Sequence, residues 1–175
     1  YDMVAVLGGK SAGMYETGIQ ALGGISRYVK RGQTVVIKPN ASWGMEPDAH
    51  ATTTPELVET VVKHCVEAGA SKVYVADHTI DSPGRAYSAN KIERAAKEGG
   101  GRVVPANSRG YYQEVKIPGA RRLKTALVHE QILEADVFIN LPILKHHGST
   151  TITSALKNLM GVVWDRWFYH ANDLH

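Results

Sequence analysis

The sequence predicts an α/β fold with a mostly parallel central sheet, helices on both faces and a hairpin insertion. Short apolar runs of strand length alternate with longer runs of helical period along the chain. Such alternation is typical of βαβ units, which place their strands in parallel. A 43% hydrophobic and 21% charged composition is that of a globular domain. We therefore expect one α/β domain over residues 1–175.

The first half of the chain predicts three strands, in the runs MVAVLGG, QTVVIKPN and KVYVAD. A helix is predicted in ETGIQALGGISRYV, although its two adjacent glycines weaken it. The clearest helix is TTTPELVETVVKHCVEAGA. There Thr54 can be the N-cap, Pro55 suits the first helical position, Glu56 complements the helix dipole and Gly69 can end the helix.

The second half continues the alternation. It predicts helices in SANKIERAAKEGG, HEQILEA and TITSALKNLMG, and strands in RVVPA and DVFINLP. The run YYQEVKIPGARRLKTALV predicts a hairpin that turns at Pro118-Gly119. The last residues, VVWDRWFYHANDLH, are rich in aromatics and carry no turn signal. We expect from this that the native chain continues and that the domain is incomplete at its C-terminus.

Composition excludes several classes of protein. The net charge of +3 is too small to predict nucleic-acid binding, and no run is long enough for a transmembrane helix. Cys65 is the single cysteine, so the chain can form no intrachain disulfide, no thiolate zinc site and no four-cysteine iron–sulfur cluster. Cys65 lies on an apolar helical stripe, where we expect a buried thiol.

Polar clusters follow four of the predicted strands; the first, Gly8–Gly13, lacks the spacing of a phosphate loop, and we expect a glycine-rich surface turn there. Lys38 and Asn40 end the second strand, Asp77 and His78 follow the third, and the run Lys145–His147 follows DVFINLP. Ligands bind outside the carboxyl ends of the strands in an open parallel sheet. We therefore expect these side chains to meet in one pocket. Since neighbouring residues of an extended chain point to opposite sides, at most one of His146 and His147 should face it.

Several of these groups suit an anion. An ammonium at the mouth of a buried strand is costly unless it meets a negative charge. Lys38 and Lys145 occupy such positions, while Thr54 and Thr151 are predicted to open helices whose N-termini favour anions. The second of these helices carries Lys157 and Asn158. The alternative is that the threonines only cap helices and the lysines extend to solvent.

The histidines raise the question of a divalent metal. Candidate ligands come from separate segments: Asp77, His78, His147 and His170. Asp77 and His147 are also the candidates for acid–base catalysis, because histidine titrates near neutral pH. No compact metal signature is present, so a hydrogen-bonding or surface histidine remains the alternative reading.

Aromatic residues form a further group. Trp43 follows the second strand and could stack on a ring of a ligand. For Trp164, Trp167, Phe168 and Tyr169 we expect core or subunit packing. The segment from Val162 onward should pack against a second copy of the chain or against the missing C-terminal part.

The motifs VVIKPN, TTTPELVETVVKHCVEAGASKVYVADHT, ADVFINLPILKHHGSTTITSALKNLMGVVWDR and HANDLH resemble the bacterial and archaeal family called domain of unknown function 362. The family's fold is similar to the N-terminal domain of nickel-pincer lactate racemases. That kinship implies an α/β domain that binds a nucleotide-like cofactor with lysines and histidines. The family's motif positions correspond here to Lys38, Pro39, Asn40, Thr54, Pro55, Asp77, Lys145, His147, Lys157, Asn158 and Gly161, with His170 and His175 in the last motif.

The resemblance also bears on length and compartment. Members of the family usually continue with further strands, and many carry ferredoxin-type cysteine clusters, which this chain lacks. Close relatives often begin with a twin-arginine export signal. We therefore expect a periplasmic or exported protein rather than a cytoplasmic one.

Two functions remain open from the sequence. In the first, the chain binds a phosphate- or carboxylate-bearing small molecule at the strand ends, with Lys38, Asn40, Thr54, Lys145, Lys157 and Asn158 as the binding residues and a divalent metal as a candidate cofactor. In the second, it is a non-catalytic module for redox or envelope assembly. The sequence decides neither between these two nor whether the chain is an enzyme.

Overall fold

A computed structural model of the chain describes residues 2–172. Its strands, numbered β1 to β8 in chain order, are Thr34–Pro39, Lys72–Val75, Arg102–Val103, Tyr112–Lys116, Thr125–His129, Val137–Leu141, Lys145–His147 and Thr151–Thr153. Its α-helices, α1 to α7, are Ser11–Ala21, Pro55–Glu67, Pro83–Asn90, Ile92–Glu98, Glu130–Leu133, Ala155–Asn158 and Arg166–Asn172. Short 3-10 helices lie at Ile25–Arg27, Pro47–Ala49, Arg109–Tyr111 and Leu159–Val162.

The central sheet has four parallel strands in the order β3-β2-β1-β6. Strand β1 lies between β2 and β6, so Val36 is paired with Tyr74 on one side and with Phe138 on the other. Strands β4 and β5 form an antiparallel hairpin outside this sheet, and β7 and β8 form a second, smaller one. The predicted α/β class, the parallel sheet and the hairpin insertion are thus confirmed.

Apolar side chains cover both faces of the sheet. On one face, Val35 and Ile37 of β1 pack in a core with α2 and α4. On the other face, Val36 and Tyr74 contact Ile132 of α5. Because side chains alternate across a strand, Lys38 lies on the same face as Val36. The ammonium of Lys38 therefore lies at the carboxyl end of β1 on this second face.

Helix α2 shows why the sequence pattern was strong. Val58, Val61, Val62 and Cys65 recur at helical spacing and are fully buried. Thr54 is the N-cap residue and Pro55 is the first helical residue, as predicted. The buried thiol of Cys65 is also as predicted, and burial raises its pKa to about 12.

The predicted first strand, MVAVLGG, is wrong. These residues run to the start of α1 without joining any sheet, and Met3 and Leu7 are 85% and 94% exposed. An apolar run becomes a strand only where a neighbouring strand pairs with it. The order β3-β2-β1-β6 contains no such partner for residues 3–7.

The predicted helix over TITSALKNLMG is also wrong in its first part. Thr151–Thr153 is strand β8, paired with Lys145–His147, and only Ala155–Asn158 and the following 3-10 turn are helical. Threonine and isoleucine are β-branched and favour a strand where a partner is available.

Smaller differences concern two other helices. Helix α1 begins at Ser11 and ends at Ala21, before the paired glycines. The predicted helix SANKIERAAKEGG is two helices, because Lys91 between α3 and α4 adopts a left-handed conformation with φ of 60°. Within residues 2–172, no helix is both long and apolar enough to cross a membrane.

Candidate functional site

A cavity of about 360 Å³ lies at the carboxyl ends of β1, β2 and β6. Residues predicted from the sequence make up half of its lining: Lys38, Asn40, Asp77, Lys145, His147, Lys157, Asn158 and His170. They meet because parallel strands end at one edge of a sheet, and because the β7–β8 hairpin and α6 follow β6 directly. Their predicted convergence is therefore observed, although their individual roles stay predictions.

A buried ion pair forms the floor of the cavity. Lys38 is 1% exposed, and its Nζ lies 2.8 Å from Oδ1 of Asp77. The same ammonium donates to the carbonyl of Pro39 at 2.6 Å and to Oδ1 of Asn158 at 3.0 Å. Burial lowers the pKa of Lys38, and the neighbouring Asp77 carboxylate opposes that shift. With three partners already present, Lys38 organises the floor rather than offering a donor to a ligand.

Asp77 and Asn158 complete the floor. Oδ2 of Asp77 accepts a hydrogen bond from the backbone N–H of Ala41 at 2.7 Å. The amide of Asn158 donates to the carbonyl of Lys38 at 3.1 Å and to Oδ1 of Asn140 at 2.8 Å. These bonds tie α6 to the ends of β1 and β6. Asp77 thus has an ion-pair partner at Oδ1 and a backbone hydrogen bond at Oδ2.

Gly161 allows the chain to pass directly over the ion pair. A Cβ at this position would lie 2.5 Å from Cε of Lys38 and 2.8 Å from its Nζ, and still closer to Asp77. The carbonyl of Gly161 accepts the backbone N–H of His78 at 3.0 Å, which fixes the 3-10 turn against the end of β2. Only glycine fits so close to the floor.

The walls of the cavity carry positive charge that has no acidic partner among residues 2–172. Lys145 donates to the carbonyl of Ala51 and lies 3.5 Å from Oδ1 of Asn40. Arg166 donates to the carbonyls of His78 and Thr79, at 2.5 and 3.2 Å.

Within residues 2–172, neither of these side chains nor that of Lys157 forms a salt bridge with a carboxylate. Among the described residues, the cavity lining therefore has four lysine or arginine side chains and one carboxylate, and that carboxylate already pairs with Lys38.

The pKa values of all three wall cations are lowered, as expected where positive charge exceeds negative charge. Burial lowers the pKa of Lys145, and repulsion from Lys38 adds to the shift while Asp77 opposes it. Burial also lowers the pKa of Lys157, with further lowering by Arg166 and Lys145. Burial lowers the pKa of Arg166 as well. A bound anion would relieve all of these unfavourable interactions at once.

Two histidines complete the wall, and their hydrogen bonds define their protonation. Nδ1 of His147 accepts the backbone N–H groups of Ser149 and Thr150 at 3.2 and 3.3 Å, so the ring proton lies on Nε2. Nε2 of His170 lies 3.2 Å from Nζ of Lys157 and accepts from that ammonium. Burial, followed by Lys157, lowers the pKa of both histidines. The lowered pKa values favour the neutral form of both rings.

Of the adjacent pair after β6, His147 lines the cavity and His146 is exposed. This agrees with the expectation that only one of them faces the site.

Two of the predicted site residues lie outside the cavity lining. Oγ1 of Thr54 is 2.6 Å from Oγ of Ser11, at the start of α2, and the neighbouring Thr53 instead joins the strand ends. His78 stacks on Trp164 with ring centroids 4.9 Å apart, and its Nδ1 donates to the carbonyl of Val163. Burial and then Arg166 lower the pKa of His78.

The predicted anion-binding helix N-termini do not contribute either. Thr54 is absent from the cavity lining, and the threonines before Lys157 belong to β8. The positive potential comes from side chains instead.

A metal centre gains no support from the geometry. Among the described residues, no three histidine, cysteine, aspartate or glutamate side chains form a group that could hold a metal ion. Asp77 pairs with Lys38, and His78 points into an aromatic cluster away from His147 and His170. The divalent metal remains a prediction. His175 lies outside the described residues.

Sequence reasoning missed Arg166 and the position of Gly161. Arg166 begins α7 and reaches back across the cavity to the end of β2. The available signal was the run WDR, in which a charged pair follows Trp164, a residue that packs against His78 and Tyr112. Gly161 appeared among the motif residues, but only the packing against Lys38 and Asp77 reveals its reason.

The C-terminal aromatics divide into two groups. Trp164 packs within its own fold, between His78 and Tyr112, which agrees with the expectation of core packing. Trp167 is 80% exposed and Phe168 is partly exposed. Tyr169 lines an apolar groove of about 670 Å³ with Ile152, Leu156 and neighbouring residues. External packing stays a prediction for these three.

Comparisons with known proteins agree with the motifs. The family described as Domain of unknown function (DUF362) matches residues 35–175. The thylakoid-associated protein sll1697 of Synechocystis sp. (strain ATCC 27184 / PCC 6803 / Kazusa) is 29% identical over 155 residues, which are 83% of this chain and 44% of that relative. The chain thus spans less than half of that relative's length. No solved structure matches the chain significantly, so the kinship with racemase domains stays a prediction.

Proposed function

The chain belongs to the family described as domain of unknown function DUF362, and from its cavity we propose that it binds a phosphate- or carboxylate-bearing small molecule at the carboxyl ends of the sheet strands. The observation that carries this proposal is the excess of cations over carboxylates in the lining. Lys145, Lys157 and Arg166 are partly buried and have no acidic partner among residues 2–172.

Partly buried charges of one sign are costly, and an opposite charge offsets that cost. Each of the three cations has lost part of its hydration, and each is repelled by its neighbours. Charge-assisted hydrogen bonds from lysine and arginine to an anion are about twice as strong as neutral ones. An anionic ligand is therefore the simplest partner that this lining can accept.

Individual side chains take different roles in this proposal. Lys145 and Lys157 are the direct contacts, because their ammonium groups are held only by neutral oxygen or nitrogen atoms. Arg166 is anchored by two carbonyls and contributes its charge together with its remaining donors. His147 offers an Nε2–H donor as a neutral ring. Lys38, Asp77 and Asn158 hold the floor in shape.

Binding is the core of the proposal, and a reaction is not part of it. Asp77 and His147 were the predicted acid–base groups, and both oxygens of Asp77 already have partners.

The test is calorimetric titration of the chain with inorganic phosphate and with acetate. Lys145→Ala should weaken the bound anion's affinity by roughly ten- to a hundredfold, because one charge-assisted contact typically contributes about 1.5–3 kcal/mol. Lys124→Ala is the matched control, since it removes an equal charge from the exposed turn after β4. Absence of binding by the unaltered chain would rule out the proposal, while equal affinity in the two variants would show that Lys145 is not a contact.

An assembly module is the second candidate, and the exposed apolar surface favours it. Leu156 and Trp167 are largely exposed near the groove that Ile152 and Tyr169 line. Exposed apolar patches of this kind often mark interaction sites. The relative named as thylakoid-associated suggests attachment to a membrane or to a membrane-bound assembly, in line with the predicted envelope role. Homo-oligomerisation and export belong to the same candidate, and light scattering with flotation on lipid vesicles tests it.

A further inference from the structure

One wall of the cavity is apolar rather than charged. Trp43 and Ile80 line it, and they are 38% and 55% exposed. Trp43 follows the end of β1, and Ile80 follows the end of β2. The indole and the isoleucine side chain therefore give this polar cavity an apolar surface, in the same lining as the three cations.

The backbone that carries Trp43 is held firmly. The carbonyl of Ser42 accepts the backbone N–H groups of Ile80 and Asp81 at 2.9 and 3.1 Å. The backbone N–H of Gly44 donates to Oδ2 of Asp81 at 2.8 Å. Bonds on both sides of Trp43 thus tie its loop to the loop after β2. The indole is presented at the cavity from a fixed base, which lowers the entropy lost when a ligand stacks on it.

The indole of Trp43 takes no part in the aromatic and cation–π contacts found within residues 2–172. No aromatic ring stacks on Trp43 there, and no cation lies over it, whereas Trp164 is packed between His78 and Tyr112. Tryptophan is costly to leave partly in water. A ligand that stacks on Trp43 in the cavity would cover the indole surface that the fold leaves exposed.

We propose that the ligand is a phosphate monoester of a planar ring, with the phosphate at Lys145, Lys157 and Arg166 and the ring against Trp43. This inference rests on the proposed anion-binding function and names its ligand class. A phosphate monoester carries three terminal oxygens and about two negative charges near pH 7, which matches three cations better than the two oxygens and one charge of a carboxylate. Stacking on the indole then selects a flat substituent.

The experiment compares phenyl phosphate with methyl phosphate, which share the anion and differ in the ring. Calorimetric titration of the unaltered chain should show phenyl phosphate binding roughly tenfold more tightly. Trp43→Ala should remove that difference and leave the affinity for methyl phosphate unchanged. Trp43→Phe should keep most of the difference, because a smaller ring still stacks.

Trp167→Ala is the control, since Trp167 is exposed outside the cavity lining. It should leave both affinities as they are, and urea denaturation of every variant confirms that it folds. If methyl phosphate and inorganic phosphate fail to bind, the anion-binding function itself is wrong. If methyl phosphate binds but phenyl phosphate binds no better, or if Trp43→Ala weakens both esters equally, the anion site stands and the ring-stacking inference is overturned.

Discussion

Replacing Gly161 by alanine should destabilise the fold by about 3 kcal/mol, even though it adds one methyl group. The added Cβ would lie 2.5 Å from Cε of Lys38, where an ordinary contact needs at least 3.4 Å, so the groups must separate by about 0.9 Å. Oδ1 of Asp77 would lie still closer to the added Cβ, so a shift away from Lys38 alone does not relieve the clash. Neither partner is a flexible surface side chain, because both are buried in the floor of the cavity.

Two responses are available to the protein, and both are costly. The 3-10 turn can move away, which breaks the bond from His78 N–H to the carbonyl of Gly161. Otherwise Lys38 and Asp77 must part, and separating a buried ion pair typically costs about 3–5 kcal/mol. Overpacking alone costs about 1–3 kcal/mol. A value of about 3 kcal/mol lies where the two ranges meet.

Urea denaturation measures this directly. With a slope of about 2 kcal/mol per molar urea, a loss of about 3 kcal/mol lowers the midpoint by about 1.5 M. Gly148→Ala is the matched control, because a Cβ there meets no atom within 4 Å, and its midpoint should move by less than about 0.3 M, the equivalent of about 0.5 kcal/mol. A Gly161→Ala midpoint as close to the unaltered chain as that of the control would refute the close packing described for the floor.

Two further predictions concern pH and the single thiol. Sulfate keeps its charge between about pH 6 and 10, so the pH dependence of its binding reports the protein's own groups. The pKa values of Lys145 and Lys157 are lowered below the ordinary 10.5, so both lose charge as the pH rises through them and sulfate affinity should fall. The pKa values of His147 and His170 are lowered below the ordinary 6.5, so both rings gain charge as the pH falls through them and sulfate affinity should rise. A calorimetric affinity that does not change with pH would contradict this. Burial raises the pKa of Cys65 to about 12, so a thiol reagent should label it only as the chain unfolds in urea, and rapid labelling of the native chain at pH 8 would be inconsistent with its position in α2.

The sequence was most informative where local pattern and tertiary packing agree. In α2, the spacing of Val58, Val61 and Cys65 dictates one buried face, and the structure buries that face. The rule that ligands bind at strand ends predicted from sequence alone that Lys38, Asp77 and Lys145 would lie close together, and all three line the same cavity.

Long-range pairing was beyond the reach of local pattern. Residues 3–7 have the apolar character of a strand but find no partner, while Thr151–Thr153 become a strand because β7 lies beside them. Pairing depends on residues elsewhere in the fold, so propensity gives no answer by itself.

The different roles of the two strand-end lysines could not be predicted from the sequence either, because they too depend on residues elsewhere in the fold. Lys38 and Lys145 look alike in the sequence, since each follows a buried strand. Only the structure shows that Lys38 is fully partnered by Asp77, Pro39 and Asn158, while Lys145 lacks an acidic partner among the described residues. Thus one lysine holds the floor and the other is assigned to the ligand.

The most direct test of the anion site is a crystal structure of the chain grown with inorganic phosphate. The phosphate oxygens should lie about 3 Å from Nζ of Lys145 and Nζ of Lys157, with the Lys38–Asp77 pair undisturbed beneath them. Phosphate bound only at other surfaces, with this cavity filled by water at saturating phosphate, would contradict the assignment of the cavity as an anion site.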